Sequence, residues 1–96
     1  MGLDTQLDAL IAAAEAVGIA IRREVLGGEG GGLCMLRGKR VLFIDTLADS
    51  ATRYERTLAA LAPIKEIDLC FLRADVREDI ERVRAEAANA PRKSNL

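Results

Sequence analysis

The spacing of apolar residues along the chain predicts three helices. In three segments the apolar residues recur every three or four positions, which places them on one side of a helix. The first segment ends at Gly18 and the second at Pro63, and Asp49 or Ser50 can cap the start of the second helix. The apolar positions are Leu3, Leu7, Leu10, Ile11, Ala14 and Val17 in the first segment, Ala51, Tyr54, Leu58 and Leu61 in the second, and Val76, Ile80, Val83 and Ala87 in the third.

Four other segments have the pattern of β-strands. Residues 19–25 alternate between apolar and polar, and Arg23, on the apolar side, indicates an edge strand. Residues 33–36 and 40–45 flank a turn at Gly38, so we expect an antiparallel hairpin. The unbroken apolar run from Val41 to Ile44 predicts a central strand, with cover on both faces or a partner chain on one. Residues 67–72 are predicted to form a fourth strand.

The resulting element order, α-β-β-β-α-β-α, predicts a single two-layer α+β domain. Its small, mostly antiparallel sheet should carry the helices on one face. The length of 96 residues is typical of one domain. We expect this domain to span residues 1–90 and residues 91–96 to form a frayed tail.

Composition limits the classes of partner. The chain is 50% hydrophobic but only 3% aromatic, so an aliphatic core is expected. A net charge of −1 predicts no general attraction to nucleic acid or to an anionic membrane. No apolar run reaches the roughly 20 residues that span a bilayer, and the chain does not start like a signal peptide. Together with two isolated cysteines, Cys34 and Cys70, which fit reduced thiols, these features favour a cytoplasmic protein.

The absence of histidine is the firmest chemical constraint. It excludes Ser-His-Asp and Cys-His catalysis and His-ligated zinc within one chain. Two isolated cysteines also cannot build a four-cysteine zinc site within one chain, although a symmetric dimer could pool them. We therefore expect no cofactor, no resident metal and, as the simplest interpretation, no catalytic activity.

Glycine is concentrated in one stretch, Leu26 to Gly38, which holds six of the eight glycines. Consecutive glycine N–H groups can hold an anion, but neither the P-loop nor the dinucleotide-binding pattern is present, and Glu29 adds a repelling charge. Glycines that serve turn or bulge geometry are the favoured alternative. If the domain binds a ligand, the candidate residues are Gly28, Glu29, Gly30, Gly31, Cys34, Arg37, Lys39 and Asp45.

Three of these candidates have structural alternatives. Arg37 and Lys39, with Arg40, could contact phosphate, but no aromatic residues lie among them, and a solvated turn is favoured. Asp45 ends the apolar strand and could bind Mg²⁺. It is equally placed to cap the turn that follows, and that role is strongly favoured.

The run from Gly31 to Asp45, G-G-L-C-M-L-R-G-K-R-V-L-F-I-D, followed by a helix, resembles small bacterial α+β proteins of uncharacterised function. It is also similar to the front half of the zinc metallopeptidases that cleave repressors, in which a helix and a hairpin precede an HExxH helix. The corresponding helix here, Tyr54 to Leu61, has neither histidine. The resemblance therefore implies a shared topology and carries over no metal ligand or activity.

Three hypotheses of function follow. The first is a protein-interaction domain, expected to be a homodimer, in which another chain completes the strand Val41 to Ile44 or the exposed side of the fourth strand. The second is a domain that binds an anionic small molecule at the glycine-rich loop. The third is a thiol- or metal-dependent enzyme built on Cys34 or Asp45. The first hypothesis needs the fewest specific functional residues, so it is favoured.

Overall fold

The computed structural model describes residues 2–89, so the predicted tail, residues 91–96, lies outside them. Within this range the chain forms three α-helices, three strands and one 3₁₀-helix. In chain order these are α1 (Leu3–Ala16), β1 (Ala20–Glu24), β2 (Gly31–Leu36), β3 (Lys39–Asp45), α2 (Ser50–Leu61), the 3₁₀-helix (Lys65–Leu69) and α3 (Ala74–Asn89).

The strands form one mixed sheet in the order β1-β3-β2. β2 runs antiparallel to β3 with Leu33 opposite Leu42, which confirms the predicted hairpin. Its turn consists of Arg37 and Gly38, both with positive φ, as two-residue hairpin turns require. β1 runs parallel to β3 with Ala20 opposite Val41. β3 is therefore central and β1 is an edge strand, as predicted.

The core lies on one side of the sheet. Leu42 and Ile44 of β3 belong to the main hydrophobic cluster, which residues of all three α-helices complete. α1 and α2 pack on the sheet, whereas α3 packs chiefly on those two helices. The side chain of Asp49 accepts the N–H of Thr52 at 2.7 Å and caps α2. The α+β class is thus confirmed, and none of the described helices is long and apolar enough to cross a membrane.

The segment predicted as a fourth strand does not join the sheet. Its first part belongs to the 3₁₀-helix, in which the N–H of Ile67 donates to the carbonyl of Ile64 at 3.2 Å and that of Cys70 to Ile67 at 3.1 Å. A spacing of three residues is the repeat of a 3₁₀-helix. Ile67 is fully buried, but Leu69 and Phe71, the alternate positions of a strand, are 88% and 96% exposed. The period of two in the sequence therefore did not reflect burial.

Substitution at Ile67 and Leu69 distinguishes the two structures of this segment. Ile67→Ala should lower the free energy of unfolding by about 2–4 kcal/mol, because it leaves a cavity in the core. Leu69→Ala should change it by less than about 0.5 kcal/mol, because Leu69 is exposed. Urea unfolding followed by circular dichroism measures both. Equal losses of stability in the two variants would contradict the 3₁₀-helix and support a strand.

Candidate functional site

The glycine-rich loop crosses the end of the central strand. β1 ends with Glu24 opposite Asp45, and β2 begins with Gly31 opposite Ile44, on the other side of β3. The connection between them, residues 25–30, must therefore pass around the carboxyl end of β3. Asp45, the last residue of β3, lies at this crossing.

The carboxylate of Asp45 holds the loop from inside. Asp45 is fully buried. Its Oδ1 accepts the N–H groups of Leu26 at 2.9 Å and Leu47 at 3.0 Å. Its Oδ2 accepts those of Gly28 at 2.6 Å and Gly30 at 3.1 Å. Four backbone donors thus converge on one side chain, which fixes the loop on one side and the turn after β3 on the other.

The same hydrogen bonds determine the acidity of Asp45. Desolvation by burial raises its pKa, but the backbone N–H groups of Leu26, Gly30, Leu47 and Gly28 outweigh that effect and lower the pKa from 3.8 to about 2. The carboxylate is therefore ionised at neutral pH, and its negative charge is stabilised by the backbone N–H dipoles that point at it.

Two glycines of the loop are required by close contacts. A Cβ atom at Gly31 would collide with the backbone carbonyl of Phe43, and one at Gly30 would collide with the side chain of Arg56 on α2. Both residues also have a positive φ, near 99° at Gly30 and 96° at Gly31. These glycines therefore allow the loop to pass between the end of β3 and α2.

The structure does not bring the candidate ligand-binding residues into one site. The N–H groups of Gly28 and Gly30, which an anion would use, already donate to Asp45. Arg37 and Lys39 lie at the turn, at the opposite end of the hairpin from Asp45. At about 3.3 Å per residue, the hairpin separates the two groups by roughly 20 Å.

The remaining candidates also lie apart from a common centre. Glu29 is exposed on the loop. Cys34 is exposed in the middle of β2, and both cysteines are free thiols. Within residues 2–89 there is no group of three Cys, Asp or Glu side chains that could hold a metal ion. Asp45 takes the capping role that the sequence favoured, and it also organises the loop, which the sequence did not predict.

The helix-free face of the sheet contains a shallow apolar depression that sequence reasoning missed. It has a volume of about 350 Å³ and is lined by Leu26, Gly31, Gly32, Leu33, Cys34 and Phe43. Next to it, the guanidinium of Arg22 lies 5.6 Å from the centre of the Phe43 ring and pairs with Glu24 at 2.6 Å. The apolar run in β3 indicated an unpartnered face, but only the strand order shows that Leu26 and β2 border it.

A second exposed apolar surface lies between α1 and the 3₁₀-helix. This groove, of about 940 Å³, has a floor of α1 residues that includes Ala9 and Ala13, and Leu69 and Phe71 stand at its other side. The sequence indicated an unpartnered apolar side in this segment but assigned it to a strand.

Two adjacent glycines allow a matched test of the loop geometry. Gly31→Ala should lower the free energy of unfolding by at least about 2 kcal/mol, because it combines a positive φ with a backbone collision. Gly32→Ala should leave it unchanged or raise it by up to about 1 kcal/mol, since φ is ordinary and a Cβ there meets open space. Urea denaturation measures both, and a stable Gly31→Ala variant would contradict the described path of the loop.

Acid unfolding should report the ionisation of Asp45. Because the folded state lowers its pKa to about 2, the charged group stabilises the fold above about pH 4 and this contribution is lost as the pH falls towards 2. Asp45→Asn should be less stable at pH 7, because its amide faces backbone donors, and its stability should depend less on pH in this window. Parallel curves for the two proteins between pH 4 and pH 2 would refute the role of the carboxylate.

Comparison of the chain with protein-family models, curated proteins and solved structures finds no match. The resemblance to repressor-cleaving metallopeptidases therefore stays an expectation from the sequence.

Proposed function

We propose that this domain is a non-catalytic, homodimerising interaction domain whose contact surface is the β2 side of its sheet. One observation carries the proposal. β2 is an edge strand, yet its six residues, Gly31 to Leu36, include no charged residue and no proline. An exposed apolar edge of this kind is a template for pairing with another chain.

The side chains around β2 extend this apolar surface. Met35 is 64% exposed, Leu36 is 43% exposed and Leu26, at the loop, is 40% exposed. Cys34 is exposed between them. Met35 lies on the helical face of β2 and Cys34 and Leu36 lie on the other, so exposed apolar groups border this strand on both faces of the sheet. Exposed apolar surface beside a strand edge indicates an interaction site.

The opposite edge of the sheet and much of the helical side carry charged residues. The opposite edge, β1, carries Arg22, Arg23 and Glu24, and charged residues of this kind protect an edge strand from pairing. The helical side carries ion pairs, including Arg82 with Glu55 at 3.0 Å and Arg84 with Asp68 at 3.0 Å. Such solvated pairs are typical of a surface that faces water. Charge therefore distinguishes β2 from β1 as the sheet edge that is available for pairing.

The chemistry of the chain supports a cytoplasmic site of action and no catalysis. Both cysteines are unpaired, as expected in a reducing compartment. Asp45 is saturated by backbone donors and cannot act as a general base without breaking the loop. The same bonds occupy the amides that an anionic ligand would use, so the structure favours association over ligand binding.

The mass of the protein in solution tests this proposal. Light scattering at micromolar concentrations should give a dimer, and Leu36→Glu should raise the dissociation constant at least about tenfold, because it places two charges in the interface. Leu69→Glu is the matched control, since Leu69 is 88% exposed and lies on the 3₁₀-helix. The control should remain dimeric, and both variants should keep the far-ultraviolet spectrum of the native protein.

Two outcomes would overturn the proposal. One is a monomeric mass for the unmodified protein throughout the concentration range. The other is loss of the dimer in Leu69→Glu but not in Leu36→Glu, which would move the interface to the groove beside α1.

A further inference from the structure

We infer that β2 pairs antiparallel with β2 of a second copy, with Leu33 on the two-fold axis, so that two domains share one six-stranded sheet. This inference rests on the proposed homodimer and specifies its backbone register. A second copy fits as the partner because β2 is complementary to itself: its residues carry no charge, so bringing the same strand to both sides of a two-fold contact sets no like charges against each other.

The hairpin determines which backbone groups of β2 are available. In an antiparallel pair, hydrogen-bonded and non-hydrogen-bonded positions alternate. Beyond the two-residue turn, Leu36 and Lys39 form the first hydrogen-bonded pair, followed by Cys34 with Val41 and Gly32 with Phe43. The N–H of Asp45 donates to the carbonyl of Gly30 at 3.3 Å, which continues the same series.

The intervening residues therefore direct their backbone groups outwards. These residues are Gly31, Leu33 and Met35, and within residues 2–89 no strand pairs with this side of β2. Pairing about Leu33 places Gly31 opposite Met35 of the second copy and uses all three residues in both chains, for about six hydrogen bonds. A register shifted by two residues in either direction leaves only about four hydrogen bonds. Backbone pairing thus favours the register centred on Leu33.

Side-chain sizes in this register are complementary on both faces of the sheet. On the helical face, Met35 lies opposite Gly31, which has no side chain. On the other face, Cys34 lies opposite Gly32, where a Cβ atom would meet only open space. A glycine within a strand weakens it unless something approaches closely. The shared sheet explains Gly32, for which the loop gives no reason.

The position of α2 is compatible with this pairing. Thr52 and Arg56 of α2 approach the sheet at Gly30, the start of β2, whereas Met35 near the other end is 64% exposed. Because the paired strands are antiparallel, the two α2 helices lie towards opposite ends of the contact. Two-fold pairing of β1 would instead bring the arginines of both copies together.

Disulfide formation tests which residues of the two β2 strands lie opposite each other. Gly32→Cys, made in a Cys70→Ser background, places a new thiol across from Cys34 of the second copy, in a non-hydrogen-bonded pair with Cα atoms about 4.5 Å apart, close enough for a disulfide. Mild oxidation should convert most of this protein to a covalent dimer on a non-reducing gel. Cys70→Ser alone should stay largely monomeric on that gel, because its Cys34 thiols lie diagonally across the axis.

Proline at an outward position tests the backbone ladder. Met35→Pro removes an N–H group that points away from β3, a place where an edge strand tolerates proline. It should raise the dissociation constant at least about tenfold over that of Met35→Ala, which removes the same side chain but keeps the N–H group. Thermal unfolding of both variants at concentrations below dimerisation checks that the monomer still folds.

The outcomes separate this inference from the proposed function. Rapid disulfide formation by Cys70→Ser alone would place Cys34 opposite Cys34 and overturn the register. A dimer that neither cross-links in Gly32→Cys nor weakens in Met35→Pro would overturn edge pairing while leaving the homodimer intact. A monomeric native protein would overturn both.

Discussion

The buried carboxylate of Asp45 is the interaction on which the arrangement of the sheet depends. β1 and β2 flank β3 on opposite sides, so the chain between them must cross the end of β3. Backbone amides in such a crossing lose water, and unpaired amides would cost free energy. Asp45 accepts three of them, from Leu26, Gly28 and Gly30, and a fourth from Leu47. The anion that the glycine-rich loop holds is therefore the side chain of Asp45 itself.

The sequence predicted the parts of the fold that depend on local pattern. Gly38 between two apolar segments indicated the hairpin, and Asp49 indicated the start of α2. Both depend on backbone preferences that neighbouring residues set. The segment after Pro63 was predicted wrongly, because alternation at Ile67, Leu69 and Phe71 is a valid strand pattern in isolation. Only the tertiary contacts of Ile67 show which of these residues is buried.

The sequence likewise predicted only part of the candidate site. The sequence identified the glycine-rich loop and Asp45 as candidate residues close along the chain. It could not show that the loop N–H groups donate to Asp45, because those hydrogen bonds follow from the order of the three strands. One sequence signal would have predicted this contact. A carboxylate ends the apolar strand, and the glycine-rich loop has neither a basic residue nor a following helix. Arg37 and Lys39 were grouped with the loop because they are close in sequence, whereas the extended hairpin holds them far from it.

The hydrogen bonds of Asp45 also change the entropy of closing the sheet. Ala20 and Val41 are partners across β1 and β3, although 21 positions separate them along the chain. Ordering so long a connection reduces the freedom of the backbone, and the reduction is greatest where glycine is abundant. In the loop between β1 and β2, attachment at Leu26, Gly28 and Gly30 leaves only single residues, Val25, Gly27 and Glu29, between fixed points. A single side chain thereby makes a distant, parallel strand pairing compatible with a very flexible segment.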